Sequence, residues 1–181
     1  MILYEGFLYH VYNQANNKSK IFLDDEDYSY FLNRAKAWVA VKSDVLAYCL
    51  MPNHFHFLIH CNSTSLETVK VGSLKLTQIS NGFRLLQSQY AQYFNKKYLK
   101  SGSVFRPKIK WKALNDSKDD HATNCFNYIH QNPVKAGLVS TRGIWKYSSL
   151  VEYCSPEYEF LVCKQIAKGF IKVDWAKTIP V

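Results

Sequence analysis

Residues 51 to 60 read MPNHFHFLIH, which sets His54 and His56 two positions apart beside a Pro-Asn turn. On a β-strand, residues i and i+2 project from one face, so the two imidazoles can share a metal ion. Neutral imidazole suits divalent transition metals, and Mg²⁺ or Mn²⁺ is accepted where phosphate oxygens complete the shell. Two unrelated histidines on a half-exposed strand satisfy the same spacing, and for His-x-His alone that is the commoner case. Two ligands are also too few to hold a metal, so a third group has to converge on them.

A second constellation lies in CFNYIHQNPVKAGLV, residues 125 to 139. Tyr128 and Asn132 are four apart and share one face of a helix. A tyrosine hydroxyl can attack a phosphodiester and hold one end of the cut strand covalently. The Asn132 carboxamide can complete a metal shell. Each residue has a plain alternative. Asn before Pro133 is an ordinary helix-ending signal, and with 13 tyrosines in the chain the default for any one is a core or rim position. His60, His121 and His130 lie nearby in sequence, and none is identified as a general base.

Composition indicates the partner. The 181 residues carry a formal net charge of +9, with 23 Lys and Arg against 14 Asp and Glu. A balance that basic points to a polyanion. From Thr68 to Asn115 there is no acidic residue, while Lys75, Arg84, Lys96, Lys97, Arg106, Lys108, Lys110 and Lys112 fall in the stretch as candidate nucleic-acid contacts, interleaved with aromatic rings. Cations track phosphates and exposed rings stack unpaired bases. No lipidation motif, signal peptide or long apolar span is legible, so a membrane partner is not expected. Five cysteines, an odd number without C-x-x-C, argue against a disulfide framework and against a cysteine zinc site. Reduced thiols in a bacterial-type cytoplasm are the simplest reading.

The elements that must position these residues follow from periodicity. Gly6–Tyr12 reads as a strand, and Asp24 or Asp25 caps a helix running to about Lys42. Val45–Leu50 and Phe55–His60, joined by Met51-Pro52-Asn53-His54, read as an antiparallel hairpin. Along the second strand, Phe55, Phe57 and Ile59 share one face, and His54, His56, Leu58 and His60 share the other. A long helix is expected from about Leu74 to Lys97, with a buried seam at Leu76, Ile79, Phe83, Leu86, Tyr90 and Tyr93. Val104–Ala113 reads as a strand presenting Arg106, Lys108, Lys110 and Lys112 on one side. Ser117 and Asp120 have capping-box spacing for a helix over about Lys118–Gln131 that Pro133 ends. The order β-α-β-β-α-β-α gives an α+β fold, an antiparallel sheet with flanking helices in a ferredoxin-like arrangement. The domain is placed at residues 1–153, with 154–181 an extension of unassigned role.

YHVYN near the start, LMPNHFHFLIH, the long basic helix, SGSVFRPKIKW, YIHQNPVKAGLV and WKYSS follow one another over roughly residues 3 to 150. In that order and at that separation they closely resemble the single-tyrosine HUH transposases, particularly the REP-associated branch. The resemblance implies an HUH nuclease domain in which His54 and His56 bind a divalent metal, Asn132 is the polar third ligand and Tyr128 is the nucleophile. It also implies cleavage of single-stranded DNA beside a hairpin, through a 5′-phosphotyrosine link and a free 3′-OH. Relatives include dimers and monomers. Lys135 stands where Arg is frequent. Two other classes stay open at this point: a non-catalytic nucleic-acid hairpin binder, and a metal-dependent phosphodiesterase that uses water.

Overall fold

The computed structural model describes residues 2–114, 120–140, 145–155 and 157–172. Four strands form one antiparallel sheet: β1 (Leu8–Gln14), β2 (Asp44–Met51), β3 (His54–His60) and β6 (Lys110–Ala113), in the order β2-β3-β1-β6. Between them run helix α1 (Asp25–Ala35), continued by a π-helical turn at Lys36–Ala40, and helix α3 (Gln78–Lys97). This is the βαββαβ order of a ferredoxin-like sheet, as the sequence pattern predicts. A short helix α2 (Ser63–Leu66) and a hairpin of β4 (Thr68–Val71) and β5 (Leu74–Thr77) are inserted before α3.

Alternation along β3 divides the core in two. Phe55 and Phe57 point to the side of α1 and α3, where Phe55 meets Phe31 at 5.2 Å and Phe57 meets Phe83 at 5.6 Å. Ile79, Phe83, Leu86 and Tyr90 form the buried seam of α3. Gly82 permits the close approach of α3 to α1's continuation, because a Cβ there would overlap the Trp38 carbonyl oxygen. Helix α4 (His121–Lys135) lies on the opposite face, against β2 and β3. Beneath it Leu58, Phe126 and Ile129 are fully buried.

Caps define the helix ends. Asp24 caps α1 in a capping box with Asp27, one of the two positions anticipated. Helix α4 does not stop before Pro133 but carries it in its last turn, at the expense of the bond an N–H there would make to the Ile129 carbonyl. It closes at Gly137, whose φ of 67° is left-handed. Leu138 N–H donates to the Pro133 carbonyl and Gly137 N–H to that of Val134, the paired bonds of a Schellman end. Ser117, expected to open α4, lies outside the described residues. Asp120 stands at the cap position without a side-chain cap bond.

Two further boundaries differ from expectation. The long helix begins at Gln78, because Leu74–Thr77 pairs with Thr68–Val71 around Gly72 (φ 60°). Leu76 therefore belongs to β5, and Phe94 rather than Tyr93 closes the buried seam. The sixth strand spans only Lys110–Ala113. Arg106–Ile109, with Pro107 unable to donate, precede it as irregular backbone. Past Trp145 the chain seals the outer edge of β2: Ser148 bridges Cys49, the Tyr147 carbonyl accepts from Leu50 N–H, and Cys163 N–H donates to the Val45 carbonyl. Helices α5 (Leu150–Cys154) and α6 (Lys164–Phe170) belong to this segment. The buried Glu152 carboxylate accepts N–H bonds from Phe160, Leu161 and Val162, which ties the start of the expected extension to the same core.

Candidate active site

Register places the polar residues of the α4-facing side of the sheet in rows. Met51, His54 and Gln14 face one another across β2, β3 and β1. Cys49, His56, Tyr12 and Lys110 form the next row, and Ala47, Leu58, His10 and Lys112 the third. Directly opposed residues of antiparallel strands share a face. The two histidines of β3 thus stand beside Gln14, Tyr12 and His10 of β1 and the lysines of β6.

Tyr128 reaches this surface from α4. Its ring centroid lies 5.6 Å from that of His56 and 6.0 Å from that of His10, edge-on to both. It is 43% exposed, and the Lys135 ammonium sits 5.8 Å from its ring. A hollow of about 370 Å³ is lined by His54, His56, Gln14, Tyr128 and the cations Arg106, Lys108 and Lys110. A second, of about 430 Å³, is lined by His10, His56, Tyr128, Lys112, His121 and Asn124 among others. Tyr12, His56 and Tyr128 border both.

The histidines are held neutral. Burial pushes His54 down, and burial followed by the neighbouring His10 and His54 pushes His56 well below its ordinary value. His10 is pushed down to about 4 by burial first and then by the charge of Lys112. Uncharged imidazoles have lone pairs to give. His54 Nδ1 lies 2.6 Å from Asn53 Oδ1, which can only accept, so the proton sits on Nδ1 and Nε2 keeps its lone pair. His56 Nδ1 is likewise occupied, at 2.9 Å from His10 Nε2. This donor set fits a divalent metal that takes nitrogen from His54 and His56.

The sequence-predicted residues divide into groups. His54, His56 and Tyr128 come together, and Arg106, Lys108, Lys110 and Lys112 surround them. Asn132 lies one helical turn beyond Tyr128, and its amide nitrogen donates to the Tyr128 carbonyl at 3.0 Å. It lines neither hollow. Lys75 is exposed on the inserted hairpin, and Arg84 and Lys96 are exposed on α3, on the other side of the sheet. Lys97 is engaged elsewhere: its ammonium lies 2.8–3.0 Å from carboxylates of Asp24, Glu26 and Asp27 at the start of α1. Among the remaining histidines, His130 is a core residue bonded to Ser149 at 2.7 Å, His60 pairs with Asp44 at 2.8 Å, and His121 borders the second hollow.

His10, Tyr12 and Gln14 carry no role in the sequence reading. The signal was present: their alternation along a strand that pairs with β3 sends all three toward the histidines.

The chain thus has an α+β fold in which an antiparallel sheet, flanked by helices, presents a His-hydrophobic-His pair and a helix-borne tyrosine to one basic face. No protein-family model matches it. It is similar to a solved REP-associated tyrosine transposase bound to a REP hairpin, with a TM-score of 0.62, 16% identity, and 90% of this chain and 88% of that one covered. At that identity the likeness is one of fold. It is also 33% identical over 110 residues to a Haemophilus influenzae protein assigned by name to the REP-associated tyrosine transposases. The match covers 59% of this chain and 58% of the length of that relative.

Proposed function

We propose that the protein is a REP-associated type of tyrosine transposase, which cuts and rejoins single-stranded DNA beside a hairpin. The observation that carries this reading is the convergence of Tyr128 with His54 and His56 on one cation-lined surface. The two relatives support it. One is named for tyrosine transposition, and the other is solved on a hairpin.

The residues act as follows. Arg106, Lys108 and Lys110 draw a DNA backbone into the hollow beside His54, and Lys112 holds it on the other side of Tyr128. The Tyr128 oxygen attacks the phosphorus, the P–O3′ bond breaks, and the 3′ oxygen leaves as a hydroxyl once protonated. The tyrosine proton passes to solvent or a neighbouring base. One phosphoester is exchanged for another, so the reverse attack by a 3′-OH rejoins strands without ATP. His54 and His56 would hold Mg²⁺ or Mn²⁺, which when bound polarises the phosphate. Asn132, the expected third ligand, lines neither hollow and bonds to the Tyr128 carbonyl, so it would complete the shell only after its carboxamide turns toward the histidines. Lys97 is left out of the DNA surface, since three carboxylates already neutralise it.

The test is the chemistry of the ends. Labelled single-stranded hairpin DNA incubated with the protein and Mn²⁺ should give a free 3′-OH and a 5′ end that stays with the protein on a denaturing gel. A free 5′-phosphate would instead show that water is the nucleophile, and binding without cleavage would show a hairpin binder.

A further inference from the structure

His10 takes no part in the chemistry above, yet its Nε2 lies 2.9 Å from His56 Nδ1, with both residues buried. The two ring planes are inclined by 27° and their centroids are 5.0 Å apart. Face-to-face rings come much closer, as Tyr28 and Tyr147 do at 3.6 Å. His10 and His56 are therefore side by side, joined edge to edge. The N···N contact runs close to the ring planes, where an imidazole keeps its N–H and its lone pair.

Such a contact needs one donor and one acceptor. If His56 Nδ1 donates, its Nε2 keeps a lone pair. If His10 donates instead, the proton of a neutral His56 sits on Nε2, and that nitrogen cannot ligate. The partner of His56 thus selects between a ligating and a non-ligating form of the ring. His54 shows the same device with a simpler partner, since Asn53 Oδ1 accepts at Nδ1. Both histidines of the pair are therefore gripped by the same nitrogen, from different elements: one by the hairpin turn, the other by β1.

We propose that His10 is a positioning residue for His56, accepting its Nδ1 proton, fixing the ring's plane and leaving Nε2 to a divalent metal. The inference rests on the metal reading under Proposed function. Local structure supports it. His10 is opposite Leu58 and reaches diagonally to His56, while Tyr12, directly opposite His56, packs 4.8 Å from the His10 ring and 5.6 Å from that of His56. Tyr12 thus packs against both rings of the imidazole pair and borders both hollows. Partners of this kind typically contribute 10–100-fold to metal affinity.

Mn²⁺ titration calorimetry on the full chain, comparing wild type with His10→Phe and His10→Gln, tests this directly. Phe keeps a flat ring and has no acceptor, whereas the Gln carboxamide oxygen can accept the same proton. We expect His10→Phe to bind Mn²⁺ roughly 10–100-fold more weakly, and His10→Gln to recover most of the loss. Thermal unfolding in EDTA shows that each variant is folded, and hairpin DNA binding should be retained by both. Wild-type affinity in His10→Phe overturns the proposal, as does a folded His10→Gln that binds no better than His10→Phe. A wild-type chain that takes up no Mn²⁺ overturns the metal reading itself, and is recognised before any variant is compared.

Discussion

His54, His56 and His10 carry a stability signature that can be read without DNA or metal. All three have folded-state values below the ordinary 6.5, that of His10 at about 4. As the pH falls, the unfolded chain takes up protons first, near pH 6.5, and the folded chain only at lower pH. Unfolding is therefore proton-consuming in that window, and stability declines from about pH 6.5 toward pH 4. For His10 the full effect is roughly 3 kcal/mol. Urea midpoints measured in EDTA across this range should fall with pH in the wild type and fall less steeply in His10→Gln. Identical slopes would contradict the neutral, buried state of His10. His54→Ala belongs to the same scale and should separate binding from chemistry. If polarisation of the phosphate supplies about 4 kcal/mol, cleavage falls about a thousandfold, while hairpin retention in a gel-shift assay persists. Cleavage by the wild type that is undiminished in EDTA would remove the metal from the mechanism.

At the scale of elements, the sheet places the site and the packing of α1 against α3 supports the sheet. Gly82 is the tightest point of that packing. Gly82→Ala improves intrinsic helix propensity, yet the methyl group meets the Trp38 backbone carbonyl, which cannot rotate away. We expect a net loss of about 1–3 kcal/mol, read as a lower urea midpoint. A stabilised variant would show that the helix gap is wider than described. Elements were legible in the sequence where their period was long and unambiguous. The β2–β3 hairpin and the seam from Ile79 to Tyr90 are such cases. Leu76 misled because one apolar residue three positions before Ile79 fits a helix, while Val69, Val71, Leu74 and Leu76 equally fit two short strands about Gly72. Pro133 misled because the packing of α4 on β2 and β3 carries the helix through a residue that locally disfavours it. His10 escaped notice for another reason: its role depends on strand pairing, and β1 and β3 are 46 residues apart at that contact.

Across the whole molecule, the basic charge separates into two uses that composition cannot distinguish. Lys97 anchors α3 to the acidic first turn of α1, while Lys108 and Lys110 border the hollow beside His54. Replacing Lys108 and Lys110 together with Ala should make the log–log salt dependence of single-stranded DNA binding shallower by roughly one unit. Lys97→Ala should leave that slope unchanged and lower the unfolding midpoint instead. The reverse pattern would mean that DNA runs over the α1–α3 face. Among the described residues no helix is long and apolar enough to cross a membrane. The central claim is that Tyr128 itself becomes joined to DNA. Cleavage after lysine places Tyr128 in the peptide spanning residues 119–135, where it is the single tyrosine. Mass spectrometry of protein trapped on hairpin DNA with Mn²⁺ should find the nucleotide adduct on that peptide, and Tyr128→Phe, with its ring and fold kept, should yield no adduct and no cut strand. An adduct on another tyrosine, or a Tyr128→Phe protein that cuts at the wild-type rate, would contradict it.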